Sequence, residues 1–191
     1  MYTLSRRCDC SPGTGILRAE IKCRGEWRVM KTLLVLRHAK SSWKNTNLAD
    51  HERPLNKRGK LDAPRMGKLL AEKELTPDLI ITSSAERALA TAETVALHCG
   101  YEQEIIVSRQ LYHGDLDDYL DVLREKGESH ERVMVVGHNP GMESLVEDLT
   151  GSHERMSTAA LVQIQLPIDS WVDFTEEVSG ELVEVWRPKE M

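Results

Sequence analysis

Thr32-Leu33-Leu34-Val35-Leu36-Arg37-His38-Ala39-Lys40-Ser41 is the stretch on which the fold turns. Residues 32–36 are apolar or β-branched in unbroken succession. A run of that kind fits a strand buried on both faces, as in a parallel sheet covered by helices, rather than a half-solvated antiparallel strand. The run stops abruptly at a guanidinium and an imidazole. Short runs of the same character recur at 78–82, 104–107 and 132–136 and predict three more buried parallel strands. Between them lie stripes spaced three or four apart: Met66, Leu69 and Leu70; Ala88, Ala92, Val95 and Ala96; Leu116, Tyr119, Leu120 and Leu123; Met142, Leu145, Val146 and Leu149. These are the apolar faces of amphipathic helices. Strand and helix in alternation, joined by right-handed crossovers, predict an α/β three-layer sandwich with a mostly parallel central sheet. Beyond Gly151 the period changes to two, with Ala160, Val162, Ile164 and Leu166 on one face and a further β-like run at Glu181–Trp186, which predicts an antiparallel edge. Pro64 falls inside the first helical stretch, which begins near Asn56 or Lys57. An interior proline costs ~3 kcal/mol, so a kink or a restart at Asp62 is expected.

A chain of 191 residues is long enough for one sizeable core, and 40% hydrophobic with 29% charged residues lies within globular ranges. The net charge of -6, with no basic run, excludes a generic nucleic-acid or anionic-membrane binder, while a local cluster of arginines remains able to hold one phosphate. No apolar run approaches the ~20 residues of a membrane span, and none in the first 29 residues has the length of a secretory core. The expected location is cytoplasmic. Three of the four cysteines, Cys8, Cys10 and Cys23, precede residue 24. Cys8-x-Cys10 lacks a second closely spaced pair, so unpaired thiols are favoured over zinc. Residues 1–29 are read as a disordered or non-native extension and 30–191 as the folded domain, with Met30 a candidate translation start.

In open α/β sheets ligands bind beyond the carboxyl ends of the strands. The first strand runs into Arg37-His38-Ala39-Lys40-Ser41, the second into Ser83-Ser84-Ala85-Glu86-Arg87, and the fourth into Gly137-His138-Asn139-Pro140-Gly141. Each piece alone has an ordinary explanation: Ser83-x-x-Glu86 fits a capping box, and Asn139 before Pro140 fits a helix start. Two His and two Arg converging on one rim, beside helix N-termini that favour anions, point instead to a phosphate site. The remaining histidines, His51, His98, His113, His130 and His153, show no ligand spacing, and only His113 follows a strand end. Asp117 and Asp118 fit the acidic first turn of a helix, and Trp43 stands close enough to the Arg-His loop to line a pocket.

Leu36-Arg37-His38-Ala39-Lys40-Ser41, Arg53-Pro54-Leu55-Asn56-x-x-Gly59, Ser83-x-x-x-Arg87-x-x-x-Thr91 and Gly137-His138-Asn139-Pro140 together resemble the histidine phosphatase superfamily, whose fold is phosphoglycerate mutase-like. The short chain resembles its SixA-type phosphohistidine phosphatases. The resemblance covers about residues 30–187. It implies that His38 is the nucleophile, that Arg37 and Arg87 clamp the phosphoryl oxygens, that His138 supports the transferring group, and that Ser41, Arg53 and Asn139 contact phosphate or substrate. It implies neither metal nor cofactor. The chemistry is consistent: a neutral imidazole is nucleophilic near pH 7, and guanidinium forks match phosphoryl oxygens. Many members carry a Glu after the third strand to protonate a leaving alcohol. Here that stretch reads Ser108-Arg109-Gln110-Leu111-Tyr112-His113-Gly114, without a carboxylate, which leaves Asp50 or Asp115 as the acid. An imidazole leaves more readily than an alkoxide, so the departure favours phosphohistidine over a sugar phosphate. The expected partner is a phosphorylated protein. The alternatives are a phosphomonoesterase acting on a small phosphorylated metabolite and a non-catalytic phosphate-binding module.

Overall fold

The computed structural model describes residues 20–23 and 26–191. Two short strands, β1 (Glu20–Cys23) and β2 (Glu26–Val29), pair antiparallel as a ribbon outside the main sheet, where the sequence predicts no strands. Cys8 and Cys10, with the rest of residues 1–19, lie outside the described residues.

The main sheet is built from β3 (Lys31–Arg37), β4 (Leu79–Ser83), β5 (Ile106–Ser108), β6 (Arg132–Gly137), β7 (Leu161–Leu166) and β8 (Glu181–Trp186), in the order β5-β4-β6-β3-β7-β8. The first four run parallel to one another and the last two are antiparallel, as the change of period predicts. Helices α1 (Gly59–Glu72) and α2 (Glu86–Cys99) cover one face, α3 (Leu116–Lys126) and α4 (Gly141–Thr150) the other. Alternate residues of one strand serve the two cores: Leu34 and Leu36 pack with Met66, Leu70 and Val95, whereas Leu33 and Val35 pack with Leu120, Leu145 and Val146. Both faces of β3 are therefore dry, which is why its apolar run is continuous.

Two expectations need correction. The third strand is not a buried one: β5 has three residues, sits at the sheet edge and leaves Val107 50% exposed, because it has a neighbour on one side only. Helix α1 starts at Gly59 and runs through Pro64 without a restart at Asp62. Asp62 is buried in that helix and bonded by Arg58 at 3.1 Å.

Register decides where the strands end. Arg37 pairs with Gly137, Thr82 with Val136 and Ser83 with Ser108. The carboxyl ends of four adjacent strands thus finish flush, and their following loops share one rim. The chain entering β7 joins them, since the Arg37 amide donates to the Ala160 carbonyl (3.0 Å) and the Ala159 amide to that of Arg37 (3.1 Å).

Candidate active site

The rim encloses a cavity of about 310 Å³ lined by Arg37, His38, Lys40, Ser41, Trp43, Asp50, Arg53, Arg87, His113, His138, Asn139 and Thr158. Apart from Asp115, every residue singled out from the sequence for catalysis or binding therefore reaches one place.

His38 stands at its centre and is 8% exposed. Its amide donates to the Gly137 carbonyl (3.0 Å), which ties the turn to the neighbouring strand end. Nδ1 lies 2.7 Å from the Ala39 carbonyl. A carbonyl oxygen only accepts, so Nδ1 carries the proton and Nε2 holds the lone pair. Arg87 Nε donates to that Nε2 across 3.4 Å. Burial pushes the imidazole pKa down to about 4; the Ala39 bond works the other way, and Arg87, Arg37 and Arg53 lower it further. At neutral pH the ring is uncharged and its free nitrogen is available to attack.

The loop bearing His38 is clasped by residues that form the sequence motifs. Thr91 Oγ1 accepts the Ala39 amide (3.0 Å) and donates to the Arg87 carbonyl (2.6 Å), so the Ser83-x-x-x-Arg87-x-x-x-Thr91 spacing sets one turn of α2 beneath the loop. Asn56 holds the other side: its amide donates to the Lys40 carbonyl (2.9 Å), its Nδ2 to the Ser41 carbonyl (3.2 Å), and its Oδ1 accepts the Gly59 amide (2.9 Å). A Cβ at Gly59 would collide with the Lys40 carbonyl, which explains a glycine there.

Asp50 organises the cations. Its Oδ1 accepts from Arg53 Nη1 (2.6 Å), and its Oδ2 from Arg87 Nη2 (2.9 Å) and from the Tyr112 hydroxyl (3.0 Å). Its backbone carbonyl takes Arg87 Nη1 as well (2.6 Å). Burial opposes ionisation of this carboxyl, but the bonds from Arg53, Tyr112 and Arg87 outweigh it and bring the pKa down to about 2. Such a group is ionised throughout the physiological range and is a poor proton donor, a correction to the reading of Asp50 as the acid. Asp115, the other carboxylate candidate, caps α3 by accepting the Asp118 amide (3.2 Å) and does not line the cavity. Arg53 also donates to Ser41 Oγ (2.6 Å) and to the Ser42 carbonyl (3.1 Å), and the exposed Trp43 ring covers it at 3.3 Å from the guanidinium carbon.

His138 is 5% exposed and packs 4.9 Å, ring to ring, from His38. Its Nε2 meets Ser83 Oγ at 2.8 Å, while its enclosed Nδ1 has no partner among the described residues. Burial first, then the proximity of His38, Arg87 and His113, push its pKa to about 3. Ser83 therefore does not act in a capping box; its hydroxyl also accepts the Ala85 amide, and Ala85 itself is the N-cap of α2. Asn139 is not a helix cap either. Its Nδ2 and Arg37 Nη1 both donate to the Met156 carbonyl, at 3.1 and 2.6 Å, leaving Asn139 Oδ1 and Arg37 Nε enclosed without partners.

Ser83, Tyr112 and His51 are the parts that the sequence reading missed. His51, which shows no ligand spacing in the sequence, bonds Ser84 Oγ at 2.9 Å and braces the Tyr112 ring edge-on at 4.9 Å. Tyr112 follows a strand end like the others, which is the signal that could have found it. Among the described residues no three His, Cys, Asp or Glu side chains are grouped to hold a metal ion.

Comparison with known proteins agrees with this arrangement. The sequence profile of the Histidine phosphatase superfamily (branch 1) matches residues 33–121. An uncharacterized chloroplastic protein of Arabidopsis thaliana is 29% identical over 152 residues, 75% of this chain and 70% of that protein. Phosphoglycerate mutase 1 of Saccharomyces cerevisiae is 34% identical over 108 residues, 52% of this chain but 43% of the mutase. Among solved structures, a SixA protein of Agrobacterium tumefaciens is 25% identical and superimposes with a TM-score of 0.71 over 83% of this chain and 98% of that one. A protein histidine phosphatase SixA bound to tungstate, 21% identical, shares the fold with a TM-score of 0.72, covering 83% of this chain and 98% of its own. The α/β sandwich is phosphoglycerate mutase-like, and its profile match over residues 33–121, its SixA-like extent and its paired histidines at one rim make the chain similar to the histidine phosphatase superfamily and, within it, to the SixA structures.

Proposed function

We propose that the chain is a metal-independent phosphatase that removes the phosphoryl group from phosphohistidine in proteins, through a phosphohistidine intermediate on His38. The observation that carries this reading is a neutral imidazole whose Nε2 accepts from Arg87 Nε and whose ring lies within the field of Arg87, Arg37 and Arg53. In the first step Nε2 attacks phosphorus, the N–P bond forms, and the bond from phosphorus to the leaving imidazole breaks. In the second step water attacks, the N–P bond breaks, its electron pair returns to Nε2, and inorganic phosphate leaves. A loose phosphoryl transition state asks mainly for positioning and positive charge. Arg37, with an enclosed and unpartnered Nε–H, and Arg87, directed at Nε2, supply the charge. His138, packed against His38 in the same cavity, supports the transferring group, and Asn139 lies beside it. Arg53 and Ser41 hold the loop and add to the field, while Asp50 fixes the spacing of Arg53 and Arg87 and lowers the cost of gathering them.

A protein substrate is supported by access. Trp43, which lines the cavity, is 73% exposed, and only the rest of α2, β5, α3 and β6 lie between Arg87 and His138, with no inserted cap. Incubation with a phosphohistidine protein, rapid quenching at alkaline pH and mass spectrometry test the reading. The phosphoryl group is expected on His38, and His38→Ala is expected to carry none. A higher kcat/KM on sugar phosphates than on the phosphohistidine protein would replace this reading by a small-molecule phosphomonoesterase, and binding without turnover of either would leave a phosphate-binding module.

A further inference from the structure

Four imidazole or carboxyl groups line the cavity, and three are committed elsewhere. His38 has its proton on the Ala39 carbonyl and its lone pair toward phosphorus. His138 has one nitrogen on Ser83 Oγ, and burial keeps its ring uncharged. Asp50 is held ionised by Arg53, Tyr112 and Arg87. His113 is the fourth.

Its surroundings differ from those of the other three. His113 is exposed, and neither ring nitrogen is bonded to a described residue. The ring is nonetheless held in place, with its centroid 4.1 Å from that of Tyr112 and 6.4 Å from that of His138. The backbone adopts a φ of 62, a left-handed conformation unusual for a side chain with a Cβ. The next residue, Gly114, leaves no room for a Cβ beside the Gln110 carbonyl (2.8 Å), so the turn that presents His113 is tightly packed. His113 also lines an adjoining cavity of about 360 Å³, which shares His138 and Asn139 with the first and continues along Asp115, Leu116 and the start of α4. It therefore stands at the seam between the space that holds the phosphoryl group and a groove able to hold what is attached to it.

We infer that His113 is the proton donor to the leaving group, and that the adjoining groove receives that group. This rests on the phosphatase reading of the site. As Nε2 of His38 bonds to phosphorus and the bond from phosphorus to the leaving oxygen or nitrogen breaks, the imidazolium of His113 passes its proton to the departing atom. In the second step the neutral ring takes a proton from the attacking water while the N–P bond breaks. Atoms and charge then balance over the cycle, and His113 returns to its starting form. Imidazole is suited to both halves because one ring nitrogen can give up a proton and later take one back.

The test uses two esters whose leaving groups differ in their need for a proton. A nitrophenolate departs unaided, and an alkoxide does not. His113→Asn, a residue that tolerates the left-handed backbone, should lower kcat/KM on β-glycerophosphate by ~10²-fold or more and on p-nitrophenyl phosphate by less than about fivefold. Imidazole added to His113→Gly should restore part of the β-glycerophosphate rate. Melting temperature and phosphate affinity, read alongside, should match the parent. Equal losses on the two esters, or no rescue by imidazole, would overturn the assignment. Failure of the parent protein to form phosphorylated His38 with a phosphohistidine protein as well as with either ester would instead overturn the phosphatase reading itself.

Discussion

Replacing His38 by Gln should make the protein markedly less sensitive to acid. The prediction follows from the burial that keeps His38 neutral. Its pKa falls from 6.5 in the unfolded chain to about 4 in the fold, so between those values the unfolded state binds a proton that the folded state refuses. Stability from such a group is complete above pH 6.5 and is lost as pH falls toward 4. Integrated over that window, the loss is almost nothing at pH 7.5 and about 2 kcal/mol at pH 5. His138, pushed to about 3, adds about the same again, so the parent should lose about 4 kcal/mol over this range. Asp50 does not confuse the measurement, because its depressed pKa affects stability only as pH falls from 3.8 toward about 2. His153, raised by its exposed pairing with Glu147, acts with the opposite sign and is common to both proteins. Denaturant unfolding at pH 7.5 and 5.0 gives the comparison. His38→Gln should halve the acid decline or better, since its removal also relieves the repulsion that depresses His138. Its absolute stability at pH 7.5 is not the quantity of interest, because the lost Ala39 bond contributes there. Parallel declines in the two proteins would show that His38 is not held neutral by the fold, and the basis for its nucleophilicity would go with it.

Arg87→Ala should lower kcat/KM by ~10³-fold, the ~3–4 kcal/mol typical of a preorganised charge on a transition state, and Arg87→Lys should recover little because one ammonium cannot bond the Asp50 carbonyl, its carboxylate and Nε2 together. Asp50→Asn should slow phosphohistidine protein and alkyl phosphate by the same factor in single turnover, because the carboxylate positions two guanidiniums and a tyrosine; a loss confined to the alkyl ester would restore it as an acid. Gly59→Ala should destabilise the fold by ~1–3 kcal/mol, as over-packing does, and should lower kcat more than that loss of folded protein explains, since the new methyl meets the Lys40 carbonyl in the nucleophile loop; calorimetry with kinetics below the melting range separates the two.

The architecture was legible in the chain because it depends on periodicity. Continuous apolar runs at 32–36 and 132–136 and stripes such as Met142, Leu145, Val146 and Leu149 state which faces are buried, and a parallel sheet then puts Arg37, His38, Arg87 and His138 at one rim. Where burial is partial the pattern misleads: residues 104–107 read as a core strand, yet Ile106–Ser108 is an edge, because composition does not report how many neighbours a strand has. Pro64 was misjudged for a similar reason, since the packing of α1 against α2 and the sheet outweighs a local propensity cost. The electrostatics of the site belong to the tertiary structure alone. Tyr112 reaches Asp50 from 62 positions away and Ser83 meets His138 from 55, separations at which no spacing rule operates. Those contacts decide that Asp50 is ionised, that His38 and His138 are neutral, and that His113 alone keeps both ring nitrogens free of the described residues. The residue types and their rim can be read along the chain, whereas protonation states follow from burial and from neighbours that only folding brings within hydrogen-bonding distance.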